Sequence, residues 1–142
     1  MPRKVEFATE GATVNIPDQK RKIGVRKLAM GSLPSMKPSK GGFQPARLVV
    51  NFELYDEDQP DKYLVEFDQP FELKVRYTKA DMQRADRDGA PLALGFWDGN
   101  TWVRFTAEKH GFLLQPDADP SNGGFGVVSI SKWGDPPVGW GK

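Results

Sequence analysis

One segment constrains the fold more than any other, because apolar and polar side chains alternate at every position of FELKVRYT, residues 71–78. Its apolar residues share one face of an extended chain: Phe71, Leu73, Val75 and Tyr77. Strict alternation over eight residues predicts a half-buried strand of an antiparallel sheet.

Similar patterns recur along the chain. ARLVVNFELY, residues 46–55, places one set of apolar side chains together: Leu48, Val50, Phe52 and Leu54. YLVEF, residues 63–67, does the same with Tyr63, Val65 and Phe67, and DQP, residues 68–70, is expected to end that strand. Shorter strands are expected at 12–16 and 23–29. FGVVSIS, residues 125–131, is a further strand, whose inward face is open between two pairs: Val128 with Ile130, or Phe125 with Val127.

Composition and spacing extend this pattern to the whole chain. Glycine (15 residues) and proline (12 residues) are abundant, and 11% of the residues are aromatic, which favours β structure over helix. A spacing of about ten residues per strand is typical of sandwiches and barrels. In TKADMQRA, Thr78 and Asp81 have the spacing of a helix capping box. We therefore predict an all-β fold, an immunoglobulin-like two-sheet antiparallel β-sandwich with one short helical turn.

The length of 142 residues fits a single domain that spans residues 1–142. Residues 31–45, GSLPSMKPSKGGFQP, are rich in Gly, Ser, Pro and Lys and can bury little apolar surface, so a mobile loop is expected there. Near the other end, Pro136 and Pro137 donate no backbone hydrogen bonds. This predicts an irregular, proline-rich tail over residues 134–142 rather than a central strand.

Two tryptophans flank a turn in GFWDGNTWVRF, residues 95–105. If Trp97 pairs with Trp102, the apolar residues of the hairpin share the core face: Leu92, Leu94, Phe96, Val103 and Phe105. The tryptophans then lie off that face, either as a cross-strand pair that stiffens the hairpin or as a platform for a sugar ring or an apolar partner chain. The tail between Trp133 and Trp140 is the expected cover. The candidate ligand-binding residues are Trp97, Trp102, Arg104 and Trp140.

Basic residues are concentrated near the N-terminus, since residues 1–47 hold ten Lys and Arg against three acidic residues. The candidate basic patch consists of Lys20, Arg21, Lys22, Arg26 and Lys27. Solvated charge on an edge strand is the alternative interpretation. The formal net charge of +1 argues against nucleic acid as a partner. No apolar run reaches the roughly 18 residues that a membrane span needs.

The sequence holds little of the chemistry that catalysis uses. There is no cysteine, and His110 is the one histidine, so neither a metal centre nor a nucleophile–histidine pair is indicated. We expect no catalytic residue, no metal and no cofactor, and hence no enzyme activity. Acidic loops at residues 56–61 and 117–119 could offer oxygen ligands to calcium, although turn formation and solubility also explain such clusters.

Three segments together resemble the ZU5-like β-sandwich domains of modular proteins, many of them bacterial surface proteins. They are ATVNIPDQ at residues 12–19, VEFDQPFELKVRYTKADM at 65–82 and PLALGFWDGNTWVRF at 91–105. The resemblance covers roughly residues 12–133, and Trp97, Asp98, Gly99 and Trp102 match the hairpin motif of that family. The motif at which some relatives cleave themselves is replaced by SISKWGDPP, so self-cleavage is not implied. The resemblance implies a non-catalytic interaction or spacer module.

We expect a non-catalytic structural or protein-interaction module that belongs to a larger assembly or surface protein. A carbohydrate-binding module that uses exposed tryptophans is the alternative, so the partner is an unidentified protein or glycan. The N-terminal residues MPRKVEFATEG lack the apolar stretch of a signal peptide. The compartment is therefore open, and an extracellular or cell-surface location is expected if the chain is a fragment of a larger protein.

Overall fold

The structure, a computed structural model, describes residues 3–7, 11–17, 22–27, 43–63, 66–87, 89–97, 101–132 and 137–142. The strands within these ranges are β1 (Arg3–Phe7), β2 (Ala12–Ile16), β3 (Ile23–Lys27), β4 (Pro45–Asp56), β5 (Gln59–Tyr63), β6 (Glu66–Thr78), β7 (Ala93–Trp97), β8 (Trp102–Arg104), β9 (Leu113–Pro116), β10 (Gly123–Lys132) and β11 (Pro137–Gly141). The helices are α1 (Lys79–Arg87), α2 (Ala107–His110) and a 3-10 turn (Pro120–Asn122).

The strands form two antiparallel sheets. The first sheet has the order β1-β2-β6-β10-β9, and the second has the order β3-β4-β11-β7-β8 with β5 paired to β4. One core cluster draws its buried side chains from both sheets, including Val14 and Val75 from the first and Phe52 and Leu94 from the second. The prediction of an all-β, two-sheet antiparallel sandwich is therefore confirmed.

The alternation that predicted β6 is confirmed, because the side chains of Phe71, Leu73, Val75 and Tyr77 are all buried. The predicted break at residues 68–70 is wrong, since β6 runs without interruption from Glu66 to Thr78. Its register with β10 shifts between Ile130 and Lys132, beside this proline-containing part of β6. Such an irregularity tolerates a residue that lacks a backbone N–H.

The inward face of β10 is the one that carries Val128 and Ile130, which are 1% and 4% exposed. Gly126 lies on the same face, beneath the indole of Trp140. A Cβ at Gly126 would stand 2.5 Å from the ring carbon Cη2 of Trp140, so the absence of a side chain makes room for that indole.

Because of bulges in β4, the predicted core face of this strand is wrong at Leu48. Val138 pairs with Val50 and Gly139 pairs with Leu48, which leaves Val49 as an extra residue on β4. Because side chains alternate with a period of two, one extra residue exchanges the two faces of the strand. Leu48 was predicted to share the core face with Val50, but it packs in a separate cluster on the outer face of the second sheet.

The predicted irregular tail is wrong over residues 137–141. Strand β11 lies between β4 and β7, in the middle of the second sheet. Pro137 is its first residue, a position where a missing N–H is tolerated, and the residues that follow can bond to both neighbours. Residues 133–136 lie outside the described part of the chain.

Helix α1 begins with the predicted capping box. Asp81 N donates to Thr78 Oγ1 at 3.2 Å, and Thr78 N donates in return to Asp81 Oδ2 at 2.9 Å. The helix runs for nine residues, longer than the single turn that was expected. It carries the chain from β6 in the first sheet to β7 in the second.

Candidate functional site

The tryptophan hairpin has the predicted register. Trp97 pairs with Trp102 and Phe96 with Val103. Leu94 and Phe105 belong to the main core, whereas both tryptophans lie in the separate cluster on the outer face. The predicted assignment of the two faces is therefore confirmed by these residues.

The tryptophans do not form an exposed platform. Trp102 is only 1% exposed, and the ring of Phe43 lies against it with 5.9 Å between ring centroids. Trp97 is half-buried, and its ring plane is inclined by 65° to that of Trp102. Of the two interpretations of this pair, the burial of Trp102 fits the cross-strand pair that stiffens the hairpin.

Phe43 covers this face, whereas β11, the described part of the expected C-terminal tail, lies within the second sheet. Phe43 is fully buried although it falls within the predicted mobile loop of residues 31–45, so that prediction is wrong at this residue; residues 31–42 lie outside the described ranges. Gly95 makes the fit possible, since a Cβ there would stand 2.6 Å from Phe43 Cε1. The guanidinium carbon of Arg104 lies 5.9 Å from the centroid of the Phe43 ring.

Trp140, the remaining candidate for ligand binding, is a core residue. It is fully buried, its indole N–H donates to the backbone oxygen of Arg76 at 2.8 Å, and its ring packs edge-on against Tyr77. Burial removes Trp140 from any exposed surface. The four residues proposed from the sequence are therefore not brought together: Trp97, Trp102 and Arg104 lie on the outer face, and Trp140 lies between the sheets.

The candidate basic patch is only partly described. Lys20 and Arg21 lie outside the described residues, Lys22 is exposed, and Lys27 ends β3. Arg26 is exposed on β3, where its Nη1 lies 3.1 Å from Glu53 Oε1 and its guanidinium stacks on Tyr55 at 4.5 Å. These contacts with the neighbouring strand β4 fit the solvated edge-strand interpretation.

The imidazole of His110 is fixed by a hydrogen bond and by an aromatic contact. Thr106 N donates to His110 Nδ1 at 3.2 Å, and the ring packs edge-on against Phe105 with 5.0 Å between centroids. Burial, and secondly the charge of Lys109, lower the pKa of His110 below its ordinary value. A neutral ring with one nitrogen already accepting a hydrogen bond therefore completes the packing around the end of α2.

The two acidic loops make local contacts. Asp56 Oδ1 accepts from Asp58 N at 2.9 Å, Asp119 Oδ1 accepts from Ser121 N at 3.1 Å, and Asp117 Oδ2 lies 2.8 Å from Arg76 Nη2. The described residues contain no group of three or more His, Asp or Glu that could hold a metal ion. Turn formation and ion pairing thus account for the contacts that Asp56, Asp117 and Asp119 make.

Within the described ranges, one buried charged side chain was not singled out as a site by the sequence. Asp81 is fully buried. Its carboxylate accepts from Arg47 Nε at 3.0 Å, Arg47 Nη2 at 2.7 Å and Arg84 Nη2 at 2.7 Å, besides the N–H and hydroxyl of Thr78. We call Arg47, Asp81 and Arg84 the arginine–aspartate cluster. It ties the start of β4 to α1.

The charge state of the cluster follows from these contacts. Burial alone would raise the pKa of Asp81, but hydrogen bonds from Arg47, Thr78 and Arg84 outweigh it and hold the pKa below its ordinary value. The carboxylate is therefore ionised at neutral pH and the cluster carries one net positive charge. The signal in the sequence was the capping spacing of Asp81, but Arg47 lies 34 residues away and no local pattern links the two.

A second missed feature is the edge of the first sheet. Strand β9 is an edge strand, and all four of its residues are exposed. Its leucines, Leu113 and Leu114, are 48% and 38% exposed. The run FLLQP could have identified them as an apolar strand, but their exposure depends on their position at the edge.

The fold and its surface define this protein as an all-β antiparallel sandwich, in whose described part Trp102 and Trp140 are buried and β9 forms an exposed apolar edge. No helix within the described ranges is long and apolar enough to cross a membrane. Comparisons of the chain with protein families, with curated proteins and with solved structures found no match. The resemblance to ZU5-like domains therefore stays a prediction.

Proposed function

We propose that this chain is a non-catalytic protein-interaction module and that β9 receives a short, extended, apolar segment of a partner protein. The observation that carries the proposal is the exposure of Leu113 and Leu114, the large hydrophobic side chains that are exposed in the described part of the chain. Neighbouring residues of a strand point to opposite faces of the sheet, so a segment laid beside β9 can cover both leucines.

The backbone of β9 supports strand addition. Asp117 N donates to Gly123 O at 2.9 Å, and these two residues continue the register in which β9 pairs with β10. Hydrogen-bonded pairs alternate along an antiparallel ladder, so Leu113 bonds towards β10 and the N–H and C=O of Leu114 point away from it. An extended peptide that adds to a sheet edge uses such outward groups for affinity and the adjacent side chains for specificity.

The available edge is short. Pro116 has no N–H, and Phe112 N already donates to Thr106 O at 3.2 Å. The outward groups are therefore concentrated at Leu114, which suits a partner segment of a few residues and a small, transient interface.

The other candidate sites support a role without catalysis. Trp102 and Trp140 contribute to packing, and His110 is engaged with Thr106 N. Membership of the ZU5-like family, with a place in a larger assembly or surface protein, belongs to the same proposal and rests on the sequence resemblance alone.

The test is selection of short peptides from a displayed library against the whole protein, followed by measurement of Kd. Leu114→Pro removes the outward N–H without touching a bond to β10, and we expect it to weaken binding at least tenfold. Leu114→Ser keeps the N–H and measures the contribution of the side chain. Glu6→Thr on β1, at the opposite edge of the same sheet, is the control and should leave Kd unchanged.

Amide chemical-shift changes should map the bound peptide to residues 113–115 and to β10. Three results would contradict the proposal. Peptides could bind Leu114→Pro as tightly as the unaltered protein, or the shift changes could centre on another edge. The third is a library that yields no saturable binder. Urea unfolding of every variant checks that the comparison is made between folded proteins.

A further inference from the structure

A cavity of about 140 Å³ lies where the start of β4, the last turn of α1 and the end of β11 meet. Its polar lining comes from Gln44, Arg84 and Lys142. A water molecule occupies roughly 30 Å³ in the liquid, so the cavity has room for a few waters or for an ion of the size of acetate or phosphate. It is separate from β9 and independent of the function proposed above.

The walls of the cavity are held in place. Gln44 N donates to Lys142 O at 2.9 Å, and Lys142 N donates to Gln44 O at 3.1 Å, which continues the β4–β11 ladder past its last strand residues. Ala85 of α1 is 4% exposed and forms part of the lining. A site formed by paired backbone and a packed helix pays little ordering entropy when a ligand enters.

The bulged start of β4 also contributes to the lining. Trp140 pairs with Arg47 and Gly141 with Pro45, so Ala46 has no partner in this register. The extra residue of a bulge is left out of the ladder. Ala46, the extra residue of this bulge, is one of the residues that line the cavity.

The arginine–aspartate cluster places one cationic side chain, Arg84, at the wall of the cavity. Asp81 is shared by two guanidinium groups, so its own charge is neutralised and one positive charge remains. Arg84 reaches Asp81 through Nη2 alone, and its side chain is 31% exposed. Within the described structure, its Nε and the second terminal nitrogen make no hydrogen bond. A guanidinium with unused planar donors at a cavity wall matches the oxygens of a carboxylate or a phosphate.

We propose that this cavity binds a small oxyanion, with the guanidinium of Arg84 as its principal donor. Carboxylate and phosphate share the oxygens that such a donor recognises, and both fit the volume. The carboxylate of Asp81 positions Arg84 through Nη2, and the ligand contacts the other nitrogens of the guanidinium.

The test is a titration of the whole protein with sodium acetate and, separately, with sodium phosphate, followed by amide chemical shifts at constant ionic strength set with sodium chloride. We expect saturable shifts at Gln44, Ala46 and Lys142. Arg84→Met should abolish them. Arg84→Lys keeps a cation beside Asp81 but loses the planar donor, and should weaken binding at least tenfold.

Arg87 provides the matched control, because it lies one turn further along α1, is exposed, and does not line the cavity. Arg87→Met should leave the shifts unchanged. Saturation by acetate alone would identify a carboxylate site, and saturation by phosphate alone a phosphate site. Shifts that chloride reproduces, or that survive in a folded Arg84→Met or Arg84→Lys protein at full strength, would overturn the proposal.

Discussion

Replacement of Asp81 by asparagine should destabilise the fold far more than any exposed acid of the same helix. Asp81→Asn keeps the size of the side chain but removes the charge that two guanidinium groups share, and its amide NH₂ faces N–H donors where an acceptor was. Removal of one partner from a buried ion pair costs about 3–5 kcal/mol. Arg47 and Arg84 are 36% and 31% exposed and can turn towards water, so we expect the lower end, about 3 kcal/mol.

Urea unfolding of the whole protein measures this change. At an m value of about 2 kcal/mol per molar, the expected loss moves the midpoint down by roughly 1.5 M. Asp86→Asn, an exposed position of the same helix, is the matched control and should change the free energy of unfolding by less than about 0.5 kcal/mol. An Asp81→Asn protein within about 1 kcal/mol of that control would refute the assignment of the cluster as a stabilising contact.

The pH dependence provides a second check. The folded pKa of Asp81 lies below the unfolded value, so its contribution is present above the unfolded pKa of about 3.9 and is lost as the pH falls through the folded pKa. The difference in unfolding free energy between the unaltered protein and Asp81→Asn should therefore be constant near neutral pH and shrink in acid. A difference that stays constant into strong acid would contradict this origin.

Three further outcomes are expected. Phe43→Ala should cost about 3–4 kcal/mol and increase quenching of Trp102 by acrylamide, whereas unchanged quenching would contradict its role as a cover. Gly126→Ala should cost about 1–3 kcal/mol, because a Cβ there meets Trp140, and a cost that does not shrink in a Trp140→Phe background would count against that contact. The lowered pKa of His110 means that its neutral form is favoured by folding, so stability should be full above about pH 6.5 and fall as the pH drops towards the folded pKa; a His110→Gln protein with the same slope would rule this out.

The features of the fold that the sequence predicted correctly depend on short-range patterns. The alternation in residues 71–78 and the pairing of Trp97 with Trp102 both depend on residues close in the chain, where a period of two identifies the face of each side chain. The capping box at Thr78 and Asp81 is equally local. Each of these features would be readable in any chain that carries the same segment.

What the sequence missed depends on single extra residues and on distant partners. The bulge at Val49 exchanges the faces of β4, which turns Leu48 outwards, and nothing in ARLVV indicates it. The burial of Trp102 depends on Phe43, which comes from far earlier in the chain. Strand β11 was rejected because of its prolines, although Pro137 stands at its first position, where the pairing of a central strand tolerates it.

The place of β11 has a consequence for how the chain reaches this structure. It is the last strand in sequence but lies between β4 and β7, which must therefore leave a gap one strand wide until residues 137–141 arrive. During synthesis from the N-terminus, β4 and β7 leave the ribosome before β11. Until β11 follows, each of the two strands presents an unpaired edge. The second sheet thus closes by insertion, and a strand from another molecule could compete for the same gap during that interval.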